Sequence, residues 1–136
     1  MIEDIIIYHT LFTRLVACNA HVCSEDEAAR VLAHAWPGGK FNAKVVGRPA
    51  AEIAAGAGIR VGPDTAALVL PLAQPQAGHP LLREKLSPLL TAVVVDGLDQ
   101  AIAVARMMLA HGGAGHTAGI HTADAEQAVA WGAAHD

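Results

Sequence analysis

The sequence predicts an α/β fold, a mostly parallel sheet with flanking helices in three layers. Apolar runs of strand length alternate with helical patterns in its last third, an order typical of parallel sheets. Residues 89–95 form an unbroken apolar run, as expected of a strand covered on both faces. Hydrophobic residues make up 53% of the 136 residues, enough to build a core. With no repeat or linker, residues 1–136 are interpreted as one unit.

The first half of the chain predicts three helices. Residues 5–17 carry apolar side chains at helical spacing. Ser24 and Glu27 have the spacing of a capping box, which begins a second helix that stops at the Trp36-Pro37-Gly38-Gly39 breaker. A third helix begins at Pro49 and ends at Gly58.

The second half predicts three strands and two further helices. The strands are expected at residues 65–70, 89–95 and 116–121. Asp96 is the predicted cap of the helix before the glycine-rich loop, and Thr122 that of the last helix, which runs to about residue 134.

Composition and charge exclude several classes of protein. The net charge of −4 has no basic face for nucleic acid or anionic lipid. No apolar run approaches the roughly 20 residues that span a bilayer, and the acidic start is unlike a secretory signal. Two cysteines are too few for a disulfide framework, so a cytoplasmic location is expected.

The glycine-rich loop at residues 112–115 is a weak candidate for phosphate binding. A dinucleotide-binding loop follows a strand and opens a helix, whereas this one follows a predicted helix and opens a predicted strand. A helix end that is relaxed by glycine is favoured.

Two groups of side chains could in principle hold a metal. One is the five-residue repeat of His111, His116 and His121, which neither a helix nor a strand brings to one face. The other is the sequence Cys18-x-x-His21-x-Cys23, which has no obvious fourth ligand. Ordinary histidines and unreactive thiols are favoured in both, so we expect no metal.

Glu84 and its neighbours form a charged cluster directly before a buried strand. The cluster, Glu84-Lys85-Leu86-Ser87-Pro88, is placed at an end of the predicted sheet, where ligands bind in α/β folds. Charges at strand ends are also often simply solvated, so the residues alone leave both interpretations open.

Two segments resemble the CoA-acylating aldehyde dehydrogenases. HPLLREKLSPLL, at residues 79–90, resembles the family's E-K-L-S-P segment, and GGAGHTAGIHT, at residues 112–122, its G-G-x-G-H-T segment. Further motifs in residues 40–65 extend the resemblance to about residues 5–134. The resemblance implies part of an aldehyde dehydrogenase catalytic domain.

The resemblance also implies a reaction and roles for two residues. Family members convert an aldehyde, CoA and NAD(P)+ to acyl-CoA and NAD(P)H through a thioester on a cysteine. Glu84 matches the glutamate that holds the nicotinamide ribose, and His116 matches a histidine beside the reaction centre. The implied cofactor is NAD or NADP, with CoA as co-substrate, a small aldehyde as substrate and no metal.

Part of the family pattern is not matched. Neither Cys18 nor Cys23 occupies the position of the family's nucleophile, and the dinucleotide-binding half and the C-terminal stretch have no counterpart. We therefore expect this chain to be inactive alone and to associate with itself or with the remaining dehydrogenase segments. The alternatives are a non-catalytic binding or assembly module and a small metal-binding protein.

Overall fold

The fold is a three-stranded parallel sheet with flanking helices. The computed structural model describes residues 2–112 and 117–135, and the side chains of residues 10–110 and 117–135. The elements are α1 (Ile2–Ala17), β1 (Ala20–Val22), α2 (Glu25–Ala35), α3 (Ala50–Gly56), β2 (Ala67–Pro71), β3 (Leu89–Ala92), α4 (Leu98–Gly112) and α5 (Ala125–Ala134). Short 3-10 turns occupy Pro37–Gly39, Ala43–Val45 and Pro80–Leu82. The predicted α/β class and parallel sheet are confirmed.

The sheet is built around β2. Its order is β1-β2-β3, with Ala20 opposite Ala67 and Leu68 opposite Leu89. Leu68, Val69 and Leu70 are each at most 1% exposed. Because successive strand residues point to opposite faces, both faces of the central strand are covered.

One face of β2 packs against α2 and α3. Leu68 and Leu70 belong to a cluster that includes Val31 and Ala35 of α2 with Ile53 and Ala54 of α3. Val69 lies outside this cluster, on the opposite face, as the alternation requires. The sheet is therefore enclosed in the manner expected of a three-layer arrangement.

Local chemistry positions the ends of α2 and α3 as predicted. Ser24 caps α2 with a complete capping box, in which the Ser24 hydroxyl accepts from the Glu27 amide and the Glu27 carboxylate accepts from the Ser24 amide. At the end of α3, Gly58 adopts φ +71°, and the amides of Gly58 and Ile59 donate to Ala55 and Ala54. This pair of bonds is a Schellman motif, which favours glycine at the left-handed position.

A pair of glycine substitutions tests this helix end. Gly58→Ala should lower the free energy of unfolding by about 1 kcal/mol, because an L side chain is strained at this φ. Gly132→Ala should instead stabilise by roughly 0.5 to 1 kcal/mol, because Gly132 lies inside α5 with open space around a new Cβ. Urea denaturation of both variants measures the two effects, and a loss of stability in both would contradict this account.

Three sequence-based predictions about the elements need correction, and one strand was missed. The strand β1 was not predicted, because three residues are too few to show a pattern. Residues 117–121 form no strand, and they pair with no strand in the described part of the chain. The N-cap of α5 is Asp124 rather than Thr122. Helix α4 begins at Leu98, so Asp96 lies one residue too early to be its cap.

The predicted strand at residues 89–95 is shorter than expected. Strand β3 ends at Ala92, opposite Pro71, where β2 also ends. Val94 lies beyond this pairing and is 58% exposed. The apolar run therefore continues past the last residue that the described sheet can pair.

Candidate functional site

The segment that carries Glu84 is fixed before it enters the sheet. The 3-10 turn Pro80–Leu82 buries Leu81 and Leu82 in the core. The Leu81 amide donates to Nδ1 of His79 over 3.2 Å, and the Thr91 hydroxyl donates to the Leu81 carbonyl over 2.6 Å. The start of the segment is thus tied to β3.

A backbone turn fixes the other end of the segment. Leu86 has φ +47°, a left-handed conformation that costs a non-glycine residue about 1 kcal/mol. Its carbonyl accepts a 3.1 Å hydrogen bond from the amide of Gly47. The turn brings residues 83–87, which we call the Glu84 segment, around a cavity.

The cavity beside Glu84 has a volume of about 300 Å³. The residues that line it are Leu82, Arg83, Glu84, Lys85, Ser87, Leu89 and Met108. The Glu84 side chain is exposed, so its two carboxylate oxygens can accept hydrogen bonds from a ligand. The Ser87 hydroxyl is buried and has no hydrogen-bond partner within the described part of the chain. A carboxylate and an unpaired hydroxyl on one small cavity suit a polyhydroxyl ligand such as a ribose.

The contacts of Lys85 indicate a structural role. Burial lowers the pKa of its ammonium group below the ordinary value, and its Nζ donates to the Arg83 carbonyl over 3.1 Å. The hydrogen bond stays within the Glu84 segment. Lys85 therefore shapes the segment, whereas the charged side chains of Arg83 and Glu84 are exposed to solvent.

The Glu84 segment lies at the amino end of β3, because Leu89 begins the strand after it. The Glu84 segment therefore lies at an end of the sheet, as predicted. This is the amino end of the strands, whereas open α/β sheets bind ligands at the carboxyl ends. A larger cavity of about 590 Å³ lies near the carboxyl ends of β2 and β3 and includes Pro71 and Ala92. Its lining is mostly apolar and does not include Glu84.

The second predicted site residue, His116, lies outside the described residues. The same holds for residues 113–115 of the glycine-rich loop. Helix α4 reaches Gly112, and the interpretation of the loop as a helix end stays a prediction. The role of His116 stays a prediction from the resemblance.

Cys23 has the properties of an unreactive thiol, as predicted. It is 3% exposed, and burial together with the neighbouring Glu27 carboxylate raises its pKa to about 11. At neutral pH the nucleophilic thiolate form is scarce. Cys18 is exposed and directly follows the carboxyl end of α1, where a helix does not favour an anion.

The predicted Cys18, His21 and Cys23 group is only partly assembled. His21, Cys23 and Glu27 place one ligand atom each within 4.8 Å of one another, without Cys18. Sequence reasoning recognised Glu27 only as a capping residue. The sequence signal that could have indicated this group is the His21-x-Cys23 pattern followed by the capping-box glutamate Glu27.

The chain is similar to several aldehyde dehydrogenases. It is 40% identical over 97 residues to an aldehyde-alcohol dehydrogenase of Streptococcus pneumoniae, covering 71% of this chain and 11% of that protein. It is 32% identical over 102 residues to a succinate-semialdehyde dehydrogenase (acetylating) of Clostridium kluyveri, covering 75% of this chain and 22% of the relative. No family model matches the chain.

A solved structure shows the same fold. The acetylating aldehyde dehydrogenase of Geobacillus thermoglucosidasius superposes with a TM-score of 0.84 and 34% sequence identity, covering 92% of this chain and 28% of that one. The parallel sheet, its helices and the sequence agreement place the chain among the aldehyde dehydrogenases. The relatives narrow that class: the chain belongs to the CoA-acylating aldehyde dehydrogenase family and corresponds to part of such an enzyme.

Proposed function

We propose that this chain contributes the nicotinamide-ribose part of the active site of a CoA-acylating aldehyde dehydrogenase. The overall reaction consumes an aldehyde, CoA and NAD(P)+ and yields acyl-CoA, NAD(P)H and a proton. The observation that carries the proposal is the exposed Glu84 carboxylate beside the buried, unpaired Ser87 hydroxyl on one cavity. Both residues belong to the segment that resembles the family's E-K-L-S-P motif.

The residues fit the group that they would hold. A carboxylate can accept hydrogen bonds from both ribose hydroxyls, and such charge-assisted bonds are about twice as strong as neutral ones. The cavity of about 300 Å³ has room for a ribose but not for a whole dinucleotide. NAD(P)+ supplies the hydride acceptor, and Glu84 would orient its nicotinamide end. His116 would stand near the reacting thioester.

The nucleophile is proposed to come from outside this sequence. Cys23 is buried with a raised pKa, and Cys18 matches no nucleophile position. The chain covers 11% and 22% of the two curated relatives, so most of their length has no counterpart here. We propose that the chain is inactive alone.

Association with further dehydrogenase segments, or with a second copy, is the proposed way to complete the site. Several large apolar side chains are exposed in the described residues: Leu11, Val16, Leu90, Val94 and Val129. Strands β1 and β3 also pair on one side only within the described sheet. The same surfaces would serve a non-catalytic assembly module, which is the second candidate.

A cytoplasmic location is also proposed, and the two free thiols support it. None of the described helices has the length and apolar character to cross a bilayer.

A segment exchange separates the two candidates. The aligned segment of the S. pneumoniae relative is replaced by this chain's segment, and NADH formation is measured with acetaldehyde, NAD+ and CoA. We expect the chain alone to give no NADH and the chimera to give CoA-dependent NADH. Robust turnover by the chain alone would contradict the proposed inactivity. A folded chimera without turnover would favour the assembly module.

A further inference from the structure

His21, Cys23 and Glu27 meet on the face of the sheet that packs against α2. His21 lies in β1, opposite Leu68, and the Cys23 amide extends the same ladder by donating to the Val69 carbonyl over 2.9 Å. Residues two apart on a strand point to the same face. The imidazole and the thiol therefore both project toward the amino end of α2.

Glu27 reaches these two side chains from the first turn of α2. Its Oε2 atom lies 3.0 Å from Nε2 of His21 and accepts a second bond, also of 3.0 Å, from the Ser24 amide. The capping box thus holds the carboxylate beside the imidazole. Hydrogen bonds to Ser24 and then to His21 lower the pKa of Glu27, so the carboxylate is charged at neutral pH.

We propose that His21, Cys23 and Glu27 form a binding site for one zinc-like divalent cation. Imidazole nitrogen, thiolate sulfur and carboxylate oxygen are the three donor types that zinc prefers, at roughly 2.0 to 2.3 Å. A tetrahedral site with those bond lengths needs donor atoms about 3.3 to 3.8 Å apart. The three atoms lie within 4.8 Å of one another, so side-chain rotations that shorten the longest separation by about 1 Å would reach this spacing.

The surroundings suit a three-ligand site with an open position. His21 also lines a cavity of about 310 Å³ together with Asn19 and Asp64, and the side chains of His21 and Glu27 stay 31% and 23% exposed, so water can reach a fourth coordination position. On binding, the Cys23 thiol releases its proton, and the thiolate and carboxylate together balance the two positive charges of the cation. The ligands come from β1, from its continuation and from α2, so the cation would cross-link strand and helix.

This site is separate from the proposed cofactor site. Cys23 follows the carboxyl end of β1, whereas Glu84 precedes the amino end of β3 in the same parallel sheet. The cavities that include His21 and Glu84 share no lining residue. A failure to bind metal would therefore leave the proposed cofactor site unaffected, and the reverse also holds.

Cobalt titration of the complete 136-residue chain tests the site. After treatment with a chelator, Co²⁺ should bind one equivalent and produce a thiolate-to-cobalt charge-transfer band with intense tetrahedral d–d absorption. Zn²⁺ should displace the cobalt and raise Tm, because a ligand that binds the native state stabilises it. Cys23→Ala should abolish the charge-transfer band, whereas Cys18→Ala, at an exposed cysteine, should leave it unchanged.

A second pair of variants keeps the test independent of folding defects at Cys23. Glu27→Gln preserves the capping box, because glutamine can serve at that position. It should weaken Co²⁺ binding at least about tenfold, since even supporting residues of metal sites are worth 10- to 100-fold. Glu25→Gln, in the same helical turn, should have less than about twofold effect. The proposal is overturned if no charge-transfer band forms, if the band survives Cys23→Ala, or if both glutamine variants bind cobalt equally.

Discussion

Glu84→Gln in the active chimera is expected to lower kcat/KM for NAD+ by roughly 10- to 100-fold. The substitution keeps the size of the side chain but removes the negative charge. Hydrogen bonds to a charged acceptor contribute about 1.5 to 3 kcal/mol, and an amide presents one acceptor oxygen in place of two. Steady-state NADH formation with varied NAD+ measures the loss.

Glu52→Gln is the matched control for this experiment. Glu52 is an exposed glutamate on α3 whose carboxylate lies 3.7 Å from the Arg48 guanidinium. Exposed ion pairs contribute about 0 to 1 kcal/mol, so its removal should change kcat/KM by less than about fivefold. The KM for CoA should be almost unchanged in both variants, because Glu84 is proposed to bind the nicotinamide ribose of NAD+ and not CoA. Equal losses in both variants would show that Glu84 has only a general structural role.

The features that the sequence predicted correctly are those fixed by local physical chemistry. The capping box at Ser24 and the left-handed Gly58 depend on residues within one helical turn. The central strand was predicted at residues 65–70 from an apolar run of strand length, and both of its faces are covered. The choice of Thr122 as a cap failed by two residues. The Thr122 hydroxyl accepts from the Asp124 amide, and Asp124 itself caps the helix.

The features that were missed depend on tertiary contacts. Strand β1 exists because it pairs with β2 in register, and its three residues carry no periodic signal. The contact between Glu27 and His21 arises only when α2 packs beside β1. The family resemblance, rather than the pattern of residues, assigned a role to Glu84. Neither the residue pattern nor the family resemblance predicted the cavity or the unpaired Ser87 hydroxyl beside it, and both are seen only in the structure.

The second large expected effect is on stability. Leu68→Ala should lower the free energy of unfolding by about 3 kcal/mol, within the 2 to 5 kcal/mol range for buried leucines. Leu68 is 0% exposed at the centre of β2, and it pairs with His21 on one side and Leu89 on the other. Because small domains have only about 5 to 15 kcal/mol of stability, this loss would remove roughly a fifth to three fifths of it.

Leu90→Ala, on the neighbouring strand, is the matched control for Leu68→Ala. Leu90 is 47% exposed, so the same chemical truncation should remove less than about 1 kcal/mol. Urea denaturation followed by circular dichroism gives both values from the shift of the midpoint at constant slope. Equal losses would mean that Leu90 is covered in solution as well as Leu68. Since β3 pairs on one side only in the described sheet, such a result would point to a partner at that edge and favour the association proposed above.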